Sequence, residues 1–137
     1  MRIKERLDVN GKTQAGPVQV SAALRHLCYI PAMPFIDTAK IDVLNKRPGW
    51  RGKLFHSKNN TFVWWEFDEG ADIHRHDHGQ EEVWHVIEGE LEVTIKGKTQ
   101  RCGPGTAAII PPNTPHSVQV IRAGRAIVVD HPLREGF

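Results

Sequence analysis

The sequence of 137 residues has few cysteines, little net charge and no long apolar run. Its two cysteines, Cys28 and Cys102, form no CxxC pair, and two are too few for a disulfide framework. We expect two reduced thiols in a cytosolic protein, and a single disulfide between them is the alternative. The low cysteine content therefore excludes a disulfide-stapled secreted scaffold.

The charge pattern argues against nucleic acid as a partner. Lys and Arg number 18 and Asp and Glu 16, so the formal net charge is +2 with neutral histidines. The cationic residues are scattered rather than clustered, which is not the pattern of a nucleic-acid-binding surface. No stretch approaches the ~20 apolar residues of a membrane span. Residues 1–10 are charged and lack the apolar centre of a signal peptide, so we expect a cytoplasmic protein with no membrane partner.

The chain changes character near residue 35. Glycine and proline interrupt residues 1–35, where only Ser21–Tyr29 could form a helical turn or two. We predict an irregular N-terminal arm, which either lies loosely on its own domain or packs across a subunit boundary. Residues 36–137 show short strands separated by turn residues, a pattern typical of an all-β sandwich or barrel.

Several stretches of residues 36–137 carry the strand pattern. The clearest are Trp50–Ser57, Thr61–Phe67, Thr106–Ile110, His116–Ile121 and Arg125–Asp130. Glu82–Ile87 and Leu91–Ile95 flank Gly89 and predict a hairpin with its turn at that glycine. Because side chains alternate along a strand, Trp64 and Trp65 are expected on opposite faces of one strand, one in the core and one outside it.

Histidines occupy alternate positions in one segment, at His74, His76 and His78. In an extended strand residues i and i+2 point to the same face, so this spacing directs several ring nitrogens at one point. Glu82 follows within a turn's reach, and His116 lies in a later strand. Imidazole and carboxylate suit a divalent transition metal such as Fe, Mn, Zn, Ni or Cu. Three histidines and one carboxylate leave coordination positions open for water or substrate, as in catalytic sites.

The segment around these histidines resembles the first sequence motif of the cupin superfamily. That motif has a glycine, five residues, HxH, three or four residues, Glu, six residues and a glycine. Here Gly70 is followed by five residues, His76 and His78 enclose one, Glu82 comes after three more, and Gly89 after another six. Every spacing of the motif is met.

A later segment resembles the second cupin motif. Gly105 is followed by five residues, Pro111, one residue, Asn113, two residues and His116. Asn113 stands where the motif has glycine, and asparagine tolerates the left-handed backbone that such a turn needs. Val120 replaces the final asparagine of the motif, which leaves an outer contact in doubt but not the ligands.

The resemblance implies an RmlC-like jelly-roll barrel, that is, a double-stranded β-helix, which is often dimeric. It implies one divalent metal ion held by His76, His78, Glu82 and His116. It does not imply one reaction, because cupins include dioxygenases, isomerases, lyases and non-catalytic binding proteins. We expect a mononuclear metal-dependent enzyme acting on a small organic molecule as an oxygenase, a lyase or a sugar or uronate isomerase, in a homodimer. The alternatives are a non-catalytic binding or sensing cupin and a cupin that has lost its metal.

Alternation from the expected ligands predicts the wall of a substrate pocket. If Glu82 points inward, then Trp84 and Val86 on the same strand also point inward. If His116 points inward, so does Val118, two residues later. Trp84 would lie beside the metal as a wall for an apolar or aromatic ligand, or would be an ordinary core residue.

No catalytic residue follows from the sequence, but His74 and Arg134 are candidates. His74 shares the parity of His76 and could donate a hydrogen bond or act as an acid or base near neutral pH, unless it is merely solvated. The segment ending in Arg134 is similar to the tail of small cupins that act on unsaturated uronates. A guanidinium there could hold a substrate carboxylate, unless Arg134 is a surface residue. An aspartate found in those enzymes falls on Val128 here, which weakens the uronate assignment.

Overall fold

Two long strands organise the sheet in the computed structural model, which describes residues 35–137. A short 3-10 helix (Thr38–Lys40) precedes strands β1 Leu44–Arg47, β2 Trp50–His56, β3 Thr61–Phe67, β4 Asp72–His76, β5 Glu81–Ile95, β6 Lys98–Cys102, β7 Ala107–Ile110 and β8 His116–His131. No helix in residues 35–137 has the length and apolar character needed to cross a bilayer. Nearly all of the expected N-terminal arm, together with Cys28, lies outside the described residues.

Strands β5 and β8 are shared by two antiparallel sheets. Residues 81–88 of β5 pair with residues 125–131 of β8, whereas residues 90–95 pair with residues 116–120 and 122. Strands β3, β2 and β1 extend the first sheet from β8, and β7 borders β5. Strands β4 and β6 extend the second sheet from β8 and β5. Two sheets joined through the same long strands make the jelly-roll barrel that the resemblance implies, so the predicted fold class is confirmed.

The hairpin predicted at Gly89 is wrong, because residues 81–95 form one continuous strand. Gly89 has φ +82°, and the pairing of β5 with β8 shifts register around it. The glycine therefore bends the strand from one sheet into the other instead of reversing it. The two C-terminal stretches are likewise one strand, β8, whose Gly124 crosses β5 so closely that a Cβ atom there would lie 2.0 Å from the carbonyl oxygen of Glu88.

Aromatic side chains fill the barrel beneath its mouth. Trp65 is buried and Trp64 is 44% exposed on the outer face, which confirms the expected alternation. Trp50 packs edge-on against Trp65 and Trp84, with ring centroids 5.7 and 5.9 Å apart. The indole N–H of Trp84 donates to the carboxylate of Glu82. The aromatic core thus reaches directly to one of the expected metal ligands.

Candidate metal centre

Three of the expected ligands form a histidine cluster, consisting of His76, His78 and His116. His76 ends β4 and pairs with His116 at the start of β8, while His78 lies in the loop after β4. The ring centroid of His116 is 4.2 Å from that of His76 and 5.1 Å from that of His78. One potential ligand atom from each residue lies within 4.8 Å of the other two. The structure therefore brings together three residues that are up to 40 positions apart in the sequence.

Backbone carbonyls set the protonation of two rings in the histidine cluster. The Nδ1 of His76 lies 2.8 Å from the carbonyl oxygen of His74, and the Nδ1 of His116 lies 2.8 Å from that of Thr114. A carbonyl only accepts, so each Nδ1 carries the proton and each Nε2 keeps its lone pair. The Nε2 of His116 is buried, and no residue from 35 to 137 gives it a hydrogen bond. A carbonyl-fixed ring with a free lone pair is the form in which histidine binds a metal.

Glu82, on β5, lies against the histidine cluster and is buried. Its Oε2 is 3.1 Å from the Nε2 of His78, and its Oε1 is 3.5 Å from the Nε2 of His116. Burial would raise the pKa of Glu82, but the nearby His116, together with hydrogen bonds from His78 and Trp84, outweighs burial and holds that pKa well below its usual range. The fourth expected ligand is therefore an ionised carboxylate directed at His78 and His116.

The second motif supports the first through one backbone hydrogen bond. The N–H of Asn113 donates to the carbonyl oxygen of His78 at 2.7 Å. Asn113 has φ +55°, which confirms the expectation that this residue takes the left-handed turn of the motif. The two motifs, separate in the sequence, thus contact each other and hold the loop that carries His78.

The ring of His74 does not join the histidine cluster. Its side chain is 84% exposed, and its Nδ1 lies 2.9 Å from the carboxylate of Asp72. The pairing of β4 with β8 shifts register between Ile73 and His76, and Ile73 rather than His74 faces the barrel. The expected common face of His74 and His76 is therefore wrong, because this irregularity breaks strict alternation. The residue contributes its backbone carbonyl to the site and not its ring.

The three residues expected to line a pocket, Trp84, Val86 and Val118, all point into the barrel and are buried in its core. Their inward orientation agrees with the alternation counted from the ligands. Trp84 contacts the site through its hydrogen bond to Glu82, and the two valines pack within the hydrophobic core. Contact of these residues with a substrate stays a prediction.

Arg134 lies at the site and not in a free tail. Its Nη1 is 3.4 Å from Oε2 of Glu82 and 3.5 Å from Oδ2 of Asp130. Its backbone N–H donates to Oγ1 of Thr61 at 2.9 Å, and its guanidinium lies 4.7 Å from the ring centroid of Phe137. The side chain remains 23% exposed. The C-terminal segment thus places a partly exposed guanidinium beside the carboxylate of Glu82.

Asp130 is the residue of the site that the sequence interpretation missed. It is fully buried, and it lies opposite Glu82 in the ladder of β5 with β8. Burial and the charge of Glu82 raise the pKa of Asp130 to about 7. A signal was available, because Ala126 and Val128 alternate with outward residues of β8 and the next inward position is 130.

A buried histidine helps to anchor the C-terminal segment. The Nδ1 of His56 lies 2.7 Å from the hydroxyl of Thr61, which also accepts the backbone N–H of Arg134. The hydroxyl can therefore donate to a neutral His56. Burial lowers the pKa of His56. Since the unfolded chain then binds a proton at residue 56 more readily than the folded one, His56 contributes a decrease in the free energy of unfolding as pH falls through the ordinary histidine range.

We expect the substitution His56→Gln to flatten this pH dependence in protein kept free of metal by a chelator. The unfolding free energy, measured by denaturant titration between pH 7.5 and 5.5, should fall less steeply than in the unsubstituted protein. One proton contributes at most about 1.4 kcal/mol per pH unit, which sets the largest difference in slope. The exposed His85, changed to Gln, is the matched control. Equal slopes for the His56 variant and the unsubstituted protein would contradict the prediction.

Comparison with known proteins decides the family. A model of the cupin domain matches residues 63–131, half of the chain, including every expected ligand. The chain belongs to the cupin superfamily. No curated protein matches this cupin.

Solved structures agree with this assignment. An RmlC-like cupin from Shewanella frigidimarina superposes with a TM-score of 0.71 at 24% identity, covering 76% of this chain and 95% of that one. KdgF from Halomonas sp. gives 0.68 at 28% identity, with 74% and 94% covered. A mutant oxalate decarboxylase from Bacillus subtilis gives 0.64 at 22% identity, covering 71% of this chain but only 29% of its own. The first and third similarities show the fold alone.

Proposed function

We propose that this cupin binds one divalent transition metal ion through His76, His78, Glu82 and His116 and is an enzyme acting on a small organic molecule. The observation that carries the proposal is the buried Nε2 of His116, which has no hydrogen-bond partner in the part of the chain that the structure describes. A buried polar atom left without a partner costs about 1–3 kcal/mol, and a metal ion removes that cost. The donor set suits Fe, Mn, Zn, Ni or Cu.

A metal at this site would supply a Lewis acid that polarises a carbonyl or stabilises an enolate. The protein residues around it orient the ligands and the substrate. Trp84 holds one oxygen of Glu82 by its N–H, and the carbonyls of residues 74 and 114 hold His76 and His116. Such outer hydrogen bonds keep the ligands in the geometry that a metal requires. His76 and His78 are less buried than Glu82 and His116, so their side of the site is the approach for a substrate.

The position of Arg134 supports a substrate that carries a carboxylate. A guanidinium binds a carboxylate through two parallel N–H bonds, and that of Arg134 is partly exposed beside Glu82. The similarity of the C-terminal tail to that of cupins acting on unsaturated uronates points to the same class. We therefore propose uronates and keto-acids as the first substrates to examine, in an isomerase or lyase type of reaction, with dioxygenase chemistry on phenolics as the alternative.

The test is an activity screen of metal-loaded protein against keto-acids, uronates and phenolics. We expect turnover of at least one class, and its loss in the double variant His76→Ala/His116→Ala. Activity retained by that variant without metal would reject metal-dependent catalysis. A ligand that binds metal-loaded protein but is recovered chemically unchanged after long incubation would favour the binding or sensing alternative.

Substitution of Arg134 tests the proposed carboxylate contact. Because a hydrogen bond to a charged group contributes about 1.5–3 kcal/mol, Arg134→Ala should raise KM for a carboxylate substrate by roughly 10- to 100-fold. The KM for a matched neutral amide of the substrate should change little. Arg101, which pairs with Glu90 at the surface, provides the control variant Arg101→Ala. Equal effects on the acid and the amide would show that Arg134 does not recognise the carboxylate.

The homodimer, the cytoplasmic location and the boundary of the arm at residue 35 stay predictions from the sequence. The same holds for the expected absence of nucleic-acid and membrane partners.

A further inference from the structure

We infer that Asp130 is a further protein ligand of the metal ion, so that this cupin offers two carboxylates and three imidazoles to one ion. The inference rests on the proposed metal site and adds a ligand that the cupin motifs do not contain. It is carried by the position of Asp130, by its unpartnered oxygen and by the charge balance of the barrel interior.

The first observation is position. Asp130 on β8 and Glu82 on β5 lie directly opposite each other, and both side chains point into the barrel. One carboxylate oxygen of Asp130 lies within 4.8 Å of potential ligand atoms of both Glu82 and His78. His78 belongs also to the histidine cluster, and Glu82 lies 3.5 Å from the Nε2 of His116. The two groups of donors therefore share His78, and a single ion bound beside that ring would be in reach of both.

The second observation is an unsatisfied oxygen. Asp130 is 0% exposed, and its Oδ1 has no hydrogen-bond partner among the described residues. Its Oδ2 lies 3.5 Å from Nη1 of Arg134. A buried carboxylate with a free oxygen is costly, so a residue with a purely structural role would have its oxygens paired. A cation at the neighbouring donors would give this carboxylate a partner.

The third observation is charge. Two carboxylates directly opposite each other on one face of a ladder repel. The guanidinium of Arg134, at 3.4 Å from one and 3.5 Å from the other, supplies one positive charge between them. A divalent ion bound to both carboxylates supplies the remaining compensation and leaves Arg134 at the rim.

A second carboxylate also changes which metals the site favours. Carboxylate oxygen suits Mn(II) and other harder ions, whereas imidazole suits Zn(II), Ni(II) and Cu(II) as well. If Asp130 is a ligand, its removal must weaken Mn(II) binding more than Zn(II) binding. It must also lower the coordination number of the bound ion, which the visible spectrum of Co(II)-substituted protein reports.

The experiment measures Mn(II) and Zn(II) affinity by chelator competition, together with Co(II) spectra, for the unsubstituted full-length protein, Asp130→Ala and the near-isosteric Asp130→Asn. The control is Val128→Ala, which removes a buried side chain from the same face of β8 two positions away. We expect Asp130→Ala to raise the Kd for Mn(II) by about tenfold or more, with a smaller change for Zn(II) and a Co(II) spectrum of lower coordination number. We expect Val128→Ala to match the unsubstituted protein in Mn(II) affinity, in Zn(II) affinity and in its Co(II) spectrum. Asp130→Asn provides the same comparison if the alanine variant fails to fold.

The outcomes separate this inference from the proposed function. If the unsubstituted protein binds none of these ions, the proposed function fails and the inference fails with it. If the Asp130 variants bind all three ions like the unsubstituted protein while His116→Ala does not, the metal site stands and the ligand assignment of Asp130 is overturned. Weaker binding with an unchanged Co(II) spectrum would also overturn the assignment, because Asp130 would then act by its charge alone.

Discussion

We expect the replacement of His116 with alanine to lower the metal content of the purified protein from about one equivalent to less than about a tenth. His116 is the most buried of the expected ligands, and its ring is within 4.2 and 5.1 Å of the other two histidine rings. Its Nε2 has a free lone pair, since the carbonyl of Thr114 fixes the proton on Nδ1. Elemental analysis of protein purified without added metal measures the effect.

The control for this prediction is His74→Ala. The His74 ring is exposed and pairs with Asp72 outside the cluster, so its removal should leave the metal content unchanged. Thermal unfolding complements the elemental analysis, because a ligand present at a hundred times its Kd stabilises the folded state by about 2.7 kcal/mol. Metal should therefore raise the Tm of the unsubstituted protein and not that of His116→Ala. An unsubstituted protein that carries less than about a tenth of an equivalent of any transition metal would instead support a cupin that has lost its metal.

The substitution Gly124→Ala lowers the free energy of unfolding by about 3 kcal/mol or more. A Cβ atom at residue 124 would lie 2.0 Å from the carbonyl oxygen of Glu88 and 2.6 Å from the backbone nitrogen of Gly89. These are backbone atoms of the strand that crosses β8, so no side-chain rotation relieves the clash. The two long strands must separate where they pass between the sheets, and both sheets lose register there.

Denaturant unfolding measures this effect, with Gly103→Ala as the matched control. A Cβ atom at Gly103 meets no atom within 4 Å, so that variant should unfold like the unsubstituted protein or slightly later. An unfolding free energy of Gly124→Ala within about 0.5 kcal/mol of the unsubstituted value would show that the crossing of β5 and β8 tolerates a side chain.

Strict alternation of side chains along a strand explains both the residues whose orientation was predicted correctly and the one whose orientation was predicted wrongly. Alternation placed Trp84, Val86 and Val118 inside correctly, because each lies on a regular stretch of strand. It failed at His74, because β4 loses register against β8 between residues 73 and 76. A register shift depends on the partner strand, and the sequence of one strand contains no record of it.

Gly89 shows that the local sequence also cannot decide where a strand ends. A glycine between two alternating stretches is compatible both with a hairpin turn and with a sharp bend of one long strand. Gly124, 35 residues away, distinguishes the two, because it passes directly over residues 88 and 89. The sequence contains both glycines but does not show that they touch.

Local pattern was thus sufficient to predict the all-β barrel and the convergence of His76, His78, Glu82 and His116. Period-two alternation and motif spacing are properties of neighbouring residues, and they can be read without knowing which strands pair. Alternation along β8 can place Asp130 inside the barrel, but its position opposite Glu82 and that of Arg134 beside the site required the folded chain. The ladder between β5 and β8 sets Asp130 opposite Glu82, and the bond from its backbone N–H to Thr61 brings Arg134 across the barrel mouth. Such contacts between distant segments come from strand pairing and closure of the barrel, which short-range sequence patterns do not encode.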